Sequence, residues 1–244
     1  MMRDSPPAPL VESAASARFD KNVLNGLPSR ACRYLEHAIA PGTILATSVR
    51  LRMHGQIRLR GWQDFSAVQT IHSDGDMRWQ ARTKLFGLPV SGYDQLLDGN
   101  GRMRWRLLGM IPLLSADGKD VTRSAAGRVA AESVWLPSRL CNPDVAWSSD
   151  GPQVTAAFDV QRERCALKLD VDDDGSLRGL CVQRWGNPDG YFDKAPFGGI
   201  VEEERRFDSY VIPSRLRIGW HFGTQRFDTQ GEFFRVAVDD AQFG

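Results

Sequence analysis

Glu132 and Trp135 stand three residues apart in a stretch with helical spacing, so they share nearly one helix face. A carboxyl held among apolar groups on such a face has its pKa raised unless a guanidinium pairs with it. Arg184, within Gln183-Arg184-Trp185-Gly186, is one candidate partner. Two chemistries follow. Glu132 is the candidate catalytic residue if the chain is a cofactor-independent enzyme doing acid–base work on a hydrophobic substrate. Paired with an arginine, the same carboxylate instead fixes the helix on its neighbours. The chain holds seven tryptophans. Most are expected to fill the core. Trp79, Trp105, Trp135 and Trp220 are the candidates to line a ligand cavity, with Glu132 and Arg184 as its polar anchors.

Other chemistries find less support. Asp170-Val171-Asp172-Asp173-Asp174-Gly175 matches the opening of a calcium loop, but the position that needs a bidentate glutamate is Cys181. The segment is expected to be an acidic hairpin turn between strands 163–171 and 177–184. The histidines, His37, His54, His72 and His221, have no metal-site spacing, and Cys32, Cys141, Cys165 and Cys181 form no C-x-x-C pair. No metal and no cofactor are therefore expected, and the cysteines read as small apolar residues. No G-x-S-x-G, Walker or G-x-G-x-x-G motif occurs. Two arginine stripes remain, Arg50, Arg52, Arg58, Arg60 and Arg102, Arg104, Arg106. They either offer an anionic site or an interaction surface, or pair with acidic residues across strands.

The elements that must position these residues are mostly strands. Val49, Leu51, Met53, Ile57 and Leu59 alternate with Arg50, Arg52, His54, Gln56, Arg58 and Arg60. The same period of two recurs in Met103, Trp105, Leu107; in Val154, Ala156, Phe158, Val160; in Cys165, Leu167, Leu169, Val171; and in Leu216, Ile218, Trp220, Phe222. Asp-Gly or Asn-Gly pairs punctuate these runs as hairpin turns do. About ten or eleven strands are expected. A short helix is predicted through Ala31–Ala40, capped by Ser29 or Asn25 and apolar along Leu27, Tyr34, Leu35, Ala38 and Ile39. A second helix of about four turns is predicted within 120–140, capped by Asp120 or Thr122 and limited by Leu136-Pro137. The fold class is mainly β with few helices (α+β): a strongly curved antiparallel sheet, or half-barrel, wrapped around a central helix.

The chain has 244 residues, 42% of them apolar, and a net charge of +1. That composition can bury a sizeable core without metal or disulfide staples. Residues 1–110 carry 15 basic and 9 acidic side chains, and residues 111–244 carry 16 and 21. Neither half has the strong basic bias of a nucleic-acid binder, so no nucleic-acid partner is expected. No window approaches the ~20 uncharged apolar residues of a membrane span. Residues 1–22 read as a flexible tail rich in Pro, Ala and Ser, and 23–244 as one β-rich domain. Residues 1–17 lack the apolar core of a secretory signal, and the expectation is a cytoplasmic chain.

Several spaced blocks resemble a bacterial family of unknown function, DUF6544: Trp79-Gln80-Ala81-Arg82, Gly92-Tyr93-Asp94, Gly99-Asn100-Gly101-Arg102-Met103, Ala131 to Pro137, Trp147, Arg184-Trp185-Gly186 and Val211-Ile212-Pro213. The resemblance spans roughly residues 27–240 and implies a single-domain bacterial protein without assigning a reaction. The strand-rich pattern with one interrupting helix is also similar to the lipoprotein-carrier (LolA/LolB-like) half-barrels, which bind acyl chains. Three functional readings stand at this point. The first is binding of a small apolar or amphipathic molecule between sheet and helix. The second is the cofactor-independent enzyme built on Glu132. The third is a protein-interaction module using the arginine-rich faces. The residues do not specify an oligomeric state.

Overall fold

Alternation in the sequence becomes alternation in burial. In β1 (Ser48–Arg58) Val49, Leu51 and Met53 are buried while Arg50, Arg52 and His54 are exposed. β2 (Trp62–His72) buries Phe65, Ala67, Gln69 and Ile71, and β3 (Met77–Leu85) buries Met77, Trp79 and Ala81. β4 (Leu88–Leu97), β5 (Asn100–Leu107) and β6 (Ile111–Asp117) continue the meander. These observations come from a computed structural model that describes residues 17–151 and 153–244.

After β6 the chain forms helix α2 (Lys119–Glu132) and two short 3-10 turns, Ser133–Trp135 and Pro137–Cys141. The remaining strands are β7 (Ala146–Asp150), β8 (Gln153–Val160), β9 (Glu163–Val171), β10 (Leu177–Gly186), β11 (Asp193–Phe207), β12 (Tyr210–Trp220) and β13 (Glu232–Phe243). All thirteen form one antiparallel sheet in the order β6-β5-β4-β3-β2-β1-β13-β12-β11-β10-β9-β8-β7. The last strand thus pairs with the first, and that seam joins the basic first half to the acidic second half. The edge strands β6 and β7 do not pair with each other, so the sheet stays open.

Its curvature shows in what α2 touches. The helix contacts β4, β5 and β6 near one end of the row and β8, β9 and β10 near the other. A flat sheet could not bring both ends to one helix. The Gln161 side-chain amide, in the β8–β9 turn, also donates to Asp76 Oδ1 in the β2–β3 turn at 3.0 Å. The half-barrel around a central helix is therefore the observed architecture. Its wall buries Leu51, Ile71, Met77, Leu96, Phe158, Leu167 and Leu169 against α2 and the 3-10 turns.

Several expectations are corrected in detail. The described residues form thirteen strands where ten or eleven were expected, because short β7 and exposed β6 lack a clear alternating face. The first helix, α1, is Ser29–Ala38; Pro28 precedes it with no side-chain cap, and Ile39 leaves the helix to bridge Tyr210. α2 ends at Glu132, and Gly118 occupies its N-cap position rather than Asp120 or Thr122. Thr122 Oγ1 instead accepts from the Gly101 backbone at 2.9 Å, tying the helix to β5. Within the expected tail, Arg18 bridges Ile44, and Phe19 is buried. The rest of the expected tail, residues 1–16, lies outside the described residues.

A cavity between helix α2 and the sheet

The register of the first four strands lines up one row of side chains. Gln69 on β2 is opposite Trp79 on β3, and Trp79 is opposite Asp94 on β4. This row faces the C-terminal half of α2, where Arg128 and Glu132 follow each other at i and i+4. Arg128 Nε donates to Glu132 Oε1 at 2.7 Å, and its Nη1 donates to Asp94 Oδ2 at 3.1 Å. Gln69 Nε2 donates to Glu132 Oε2 at 2.6 Å, and Trp105 Nε1 donates to Asp94 Oδ1 at 2.9 Å. The Arg128 guanidinium also lies 5.0 Å from the centre of the Trp79 ring. Burial alone would lower the pKa of Arg128, but the carboxylates of Glu132 and Asp94 outweigh it and hold the guanidinium above its ordinary value.

Arg184, one candidate partner for Glu132 in the sequence, does not pair with it: Arg128 and Gln69 occupy the two carboxylate oxygens. Arg184 lies on β10 across from α2, where Gly127 allows a close approach. A Cβ at Gly127 would fall 2.8 Å from Arg184 Cγ and 3.3 Å from its Cα. Arg184 Nε donates to the Ser124 carbonyl at 2.9 Å, and its guanidinium lies over Phe197 and Trp220 at 4.4 and 5.1 Å. It has no carboxylate partner among the described residues. Burial, then the like charge of Arg128, pushes its pKa down to about 9 against the pull of Glu132 and Asp94, which leaves it charged at neutral pH.

These groups line a cavity of about 550 Å³ between α2 and the sheet. Trp79, Trp105, Glu132, Trp135, Arg184 and Trp220 all lie on its wall. Helix α2 supplies Glu132, and the 3-10 turn that follows it supplies Trp135, whose Nε1 is satisfied by the Pro213 carbonyl at 3.0 Å. Trp79 packs on Phe65, Trp105 and Phe234 with ring centres 5.6 to 5.9 Å apart. Gln69 Oε1 and Trp79 Nε1, both on lining residues, are buried without a hydrogen-bond partner. Sequence reasoning missed Gln69, Asp94 and Arg128. Two signals were present: a glutamine at an inward position of an alternating strand, and the i, i+4 spacing of Arg128 and Glu132.

The other candidate groups lie elsewhere. In the acidic loop, Asp172 pairs with Arg178 at 2.5 Å, Asp173 pairs with Arg30 at 3.0 Å, and Asp174 accepts from Ser176. The loop is the hairpin turn between β9 and β10. The four cysteines are free and only partly buried; burial raises the Cys141 pKa to about 12 and that of Cys165 to about 11. Of the seven arginines in the two stripes, Arg52 pairs with Asp240 at 3.4 Å and Arg104 with Asp117 at 2.6 Å. The other five have no carboxylate partner among the described residues. Cross-strand pairing thus accounts for fewer of them than the near-neutral total charge suggested.

With this geometry in hand, the chain belongs to the family of unknown function DUF6544, whose model matches residues 17–233. Among curated proteins, none matches the chain. Two solved structures align with the chain at 7% sequence identity. A LolA superfamily protein from Nitrosomonas europaea aligns with a TM-score of 0.44 over 88% of this chain and 92% of its own. A domain assigned as an outer membrane lipoprotein-sorting protein, from Vibrio parahaemolyticus, aligns with a TM-score of 0.40 over 80% of this chain and 85% of its own. No helix among the described residues is long and apolar enough to cross a membrane.

Proposed function

We propose that the cavity binds a small apolar or amphipathic molecule, its apolar part against Trp79, Trp105, Trp135 and Trp220 and its polar group near Arg184. The observation that carries this reading is the combination of size and lining. A space of about 550 Å³ falls within the ~300–1,000 Å³ of small-molecule sites, and aromatic and aliphatic groups make most of its wall. Each buried methylene of a ligand contributes about 0.8 kcal/mol, so a short acyl chain gains enough to bind. Arg184 suits the polar end because its charge faces aromatic rings rather than a carboxylate.

The enzyme reading is less favoured. Acid–base work by Glu132 needs a carboxyl free to exchange its proton with a substrate. Here Arg128 and Gln69 hold both of its oxygens. Its role in this reading is to orient Arg128 and, through it, Asp94 and Trp105.

Native mass spectrometry of freshly purified protein, with displacement of a fluorescent dodecanoic acid probe, tests the proposal. A retained small molecule or saturable probe binding is expected, and Ala131→Phe, which projects a ring into the cavity, should abolish it while the circular dichroism spectrum is kept. A folded Ala131→Phe protein that binds the probe as tightly as the wild type would sink the reading. If that variant does not fold, Met103→Trp on the opposite wall makes the same test.

A further inference from the structure

Three turns stand at the end of the sheet where the cavity opens. They join β1 to β2 (residues 59–61), β3 to β4 (86–87) and β5 to β6 (108–110). Antiparallel order puts all three on the same edge, and Leu59, Arg60, Leu85, Val90, Leu113 and Leu114 near them line the cavity. Eleven large apolar side chains are exposed among the described residues, and eight of them belong to these hairpins: Leu59, Phe86, Leu88, Leu108, Met110, Ile111, Leu113 and Leu114. Phe86 and Met110 are the most open, at 74% and 73% exposure.

The charges at these three tips have one sign. The stretches 58–62, 84–90 and 106–114 contain Arg58, Arg60, Lys84 and Arg106 and no aspartate or glutamate. All four are exposed, and none has a carboxylate partner among the described residues. The Arg60 guanidinium lies 5.6 Å from the Phe86 ring centre, so charge and apolar surface are interleaved across neighbouring turns.

The backbone shows that the apolar tips are not a cheap choice. Phe86 (φ 51°) and Leu108 (φ 54°) are both left-handed, each followed by a left-handed glycine. The β4–β5 turn, at the opposite edge, has the same pair of left-handed residues in Asp98 (φ 49°) and Gly99 (φ 72°). Asn, Asp and Gly are the usual occupants of such turns, and a bulky residue there is strained. Among the described residues, strained apolar residues are thus displayed to solvent at one edge only.

We infer that these three hairpin tips dock the protein on an anionic lipid bilayer, apolar side chains entering the interface and Arg58, Arg60, Lys84 and Arg106 meeting acidic headgroups. A bilayer accepts several separate apolar protrusions without a matching surface, and anionic leaflets attract such basic residues. A two-fold contact between copies would set the same four positive charges against their own duplicates. Docked this way, the cavity opens toward the lipid.

Flotation with phosphatidylcholine vesicles, with and without roughly one quarter phosphatidylglycerol, tests the inference. The wild type should float with the anionic vesicles, less well with neutral ones, and less well in high salt. Phe86→Asn with Leu108→Asn keeps the turn chemistry and should weaken binding by about tenfold or more. Arg60→Glu with Lys84→Glu should weaken it by a similar factor. Wild-type protein that does not float with anionic vesicles, or Asn variants that float as well as it does, would overturn the inference. So would sedimentation showing a dimer that the Asn variants dissociate. Vesicle binding is read independently of the fluorescent fatty-acid assay, so failure of one proposal is distinct from failure of the other.

Discussion

The floor and the mouth of the cavity reverse the ordinary placement of polar and apolar groups. About 20 Å in along the strands from the β3–β4 turn, at ~3.3 Å per residue, the floor encloses Asp94, Arg128 and Glu132, with Arg184 across the helix. The mouth, by contrast, exposes Phe86, Leu108, Met110 and their neighbours. Partnership separates the two. Asp94, Arg128 and Glu132 are tied by hydrogen bonds of 2.6 to 3.1 Å, so these three charges are compensated inside the protein. Nothing among the described residues covers the mouth residues. Burial of a charge is tolerated where partners are built in, and exposure of apolar surface points to a partner outside the chain.

The largest effect should come from breaking the floor. Arg128→Met removes the one cation that bridges Asp94 and Glu132 and leaves two carboxylates partly buried together. A loss of about 3–5 kcal/mol is expected in urea denaturation. A cost below about 1 kcal/mol would mean that the floor is wetter than its geometry implies. Gly127→Val comes next, since its Cβ would meet the Arg184 stem at 2.8 Å. Overpacking there should cost about 1–3 kcal/mol and disturb the cavity, which loss of probe affinity would report.

The mouth should respond with the opposite sign. Phe86→Asn and Leu108→Asn each relieve a left-handed apolar residue and should stabilise the fold by about 1 kcal/mol, seen as a higher denaturation midpoint with an unchanged slope. Asp98→Leu at the opposite edge should cost about 1 kcal/mol without adding vesicle affinity. If that substitution conferred vesicle binding, any exposed apolar turn would suffice, and the contrast between the edges would lose its meaning.

Much of this architecture was legible in the sequence because it depends on period. Alternation over 49–60 and 163–171 needs only neighbours along the strand to fix which side faces inward, and helical spacing over 121–134 marked α2 in the same way. The tryptophans and Glu132 were legible as inward-facing groups for that reason. Less legible was which cation reaches Glu132. Arg128 and Arg184 are both plausible by type, and only the rotation of α2 on the sheet selects the first. The mouth was written in the sequence as Leu-Phe-Gly-Leu-Pro and Leu-Leu-Gly-Met-Ile-Pro-Leu-Leu, yet such runs read equally well as buried strand.

The sequence by itself determined a strand-rich chain with two helices, their approximate bounds and the inward face of most strands, since these follow from local backbone geometry and side-chain period. Tertiary structure decided what depends on distant residues meeting. It paired the first strand with the last, brought strands from both sides of the sheet to α2, and set Gln69, Trp79 and Asp94 in one row opposite Arg128 and Glu132. It also gathered three separate turns at one edge. Register and curvature are set by how the whole sheet packs around its helix, and no local pattern encodes them.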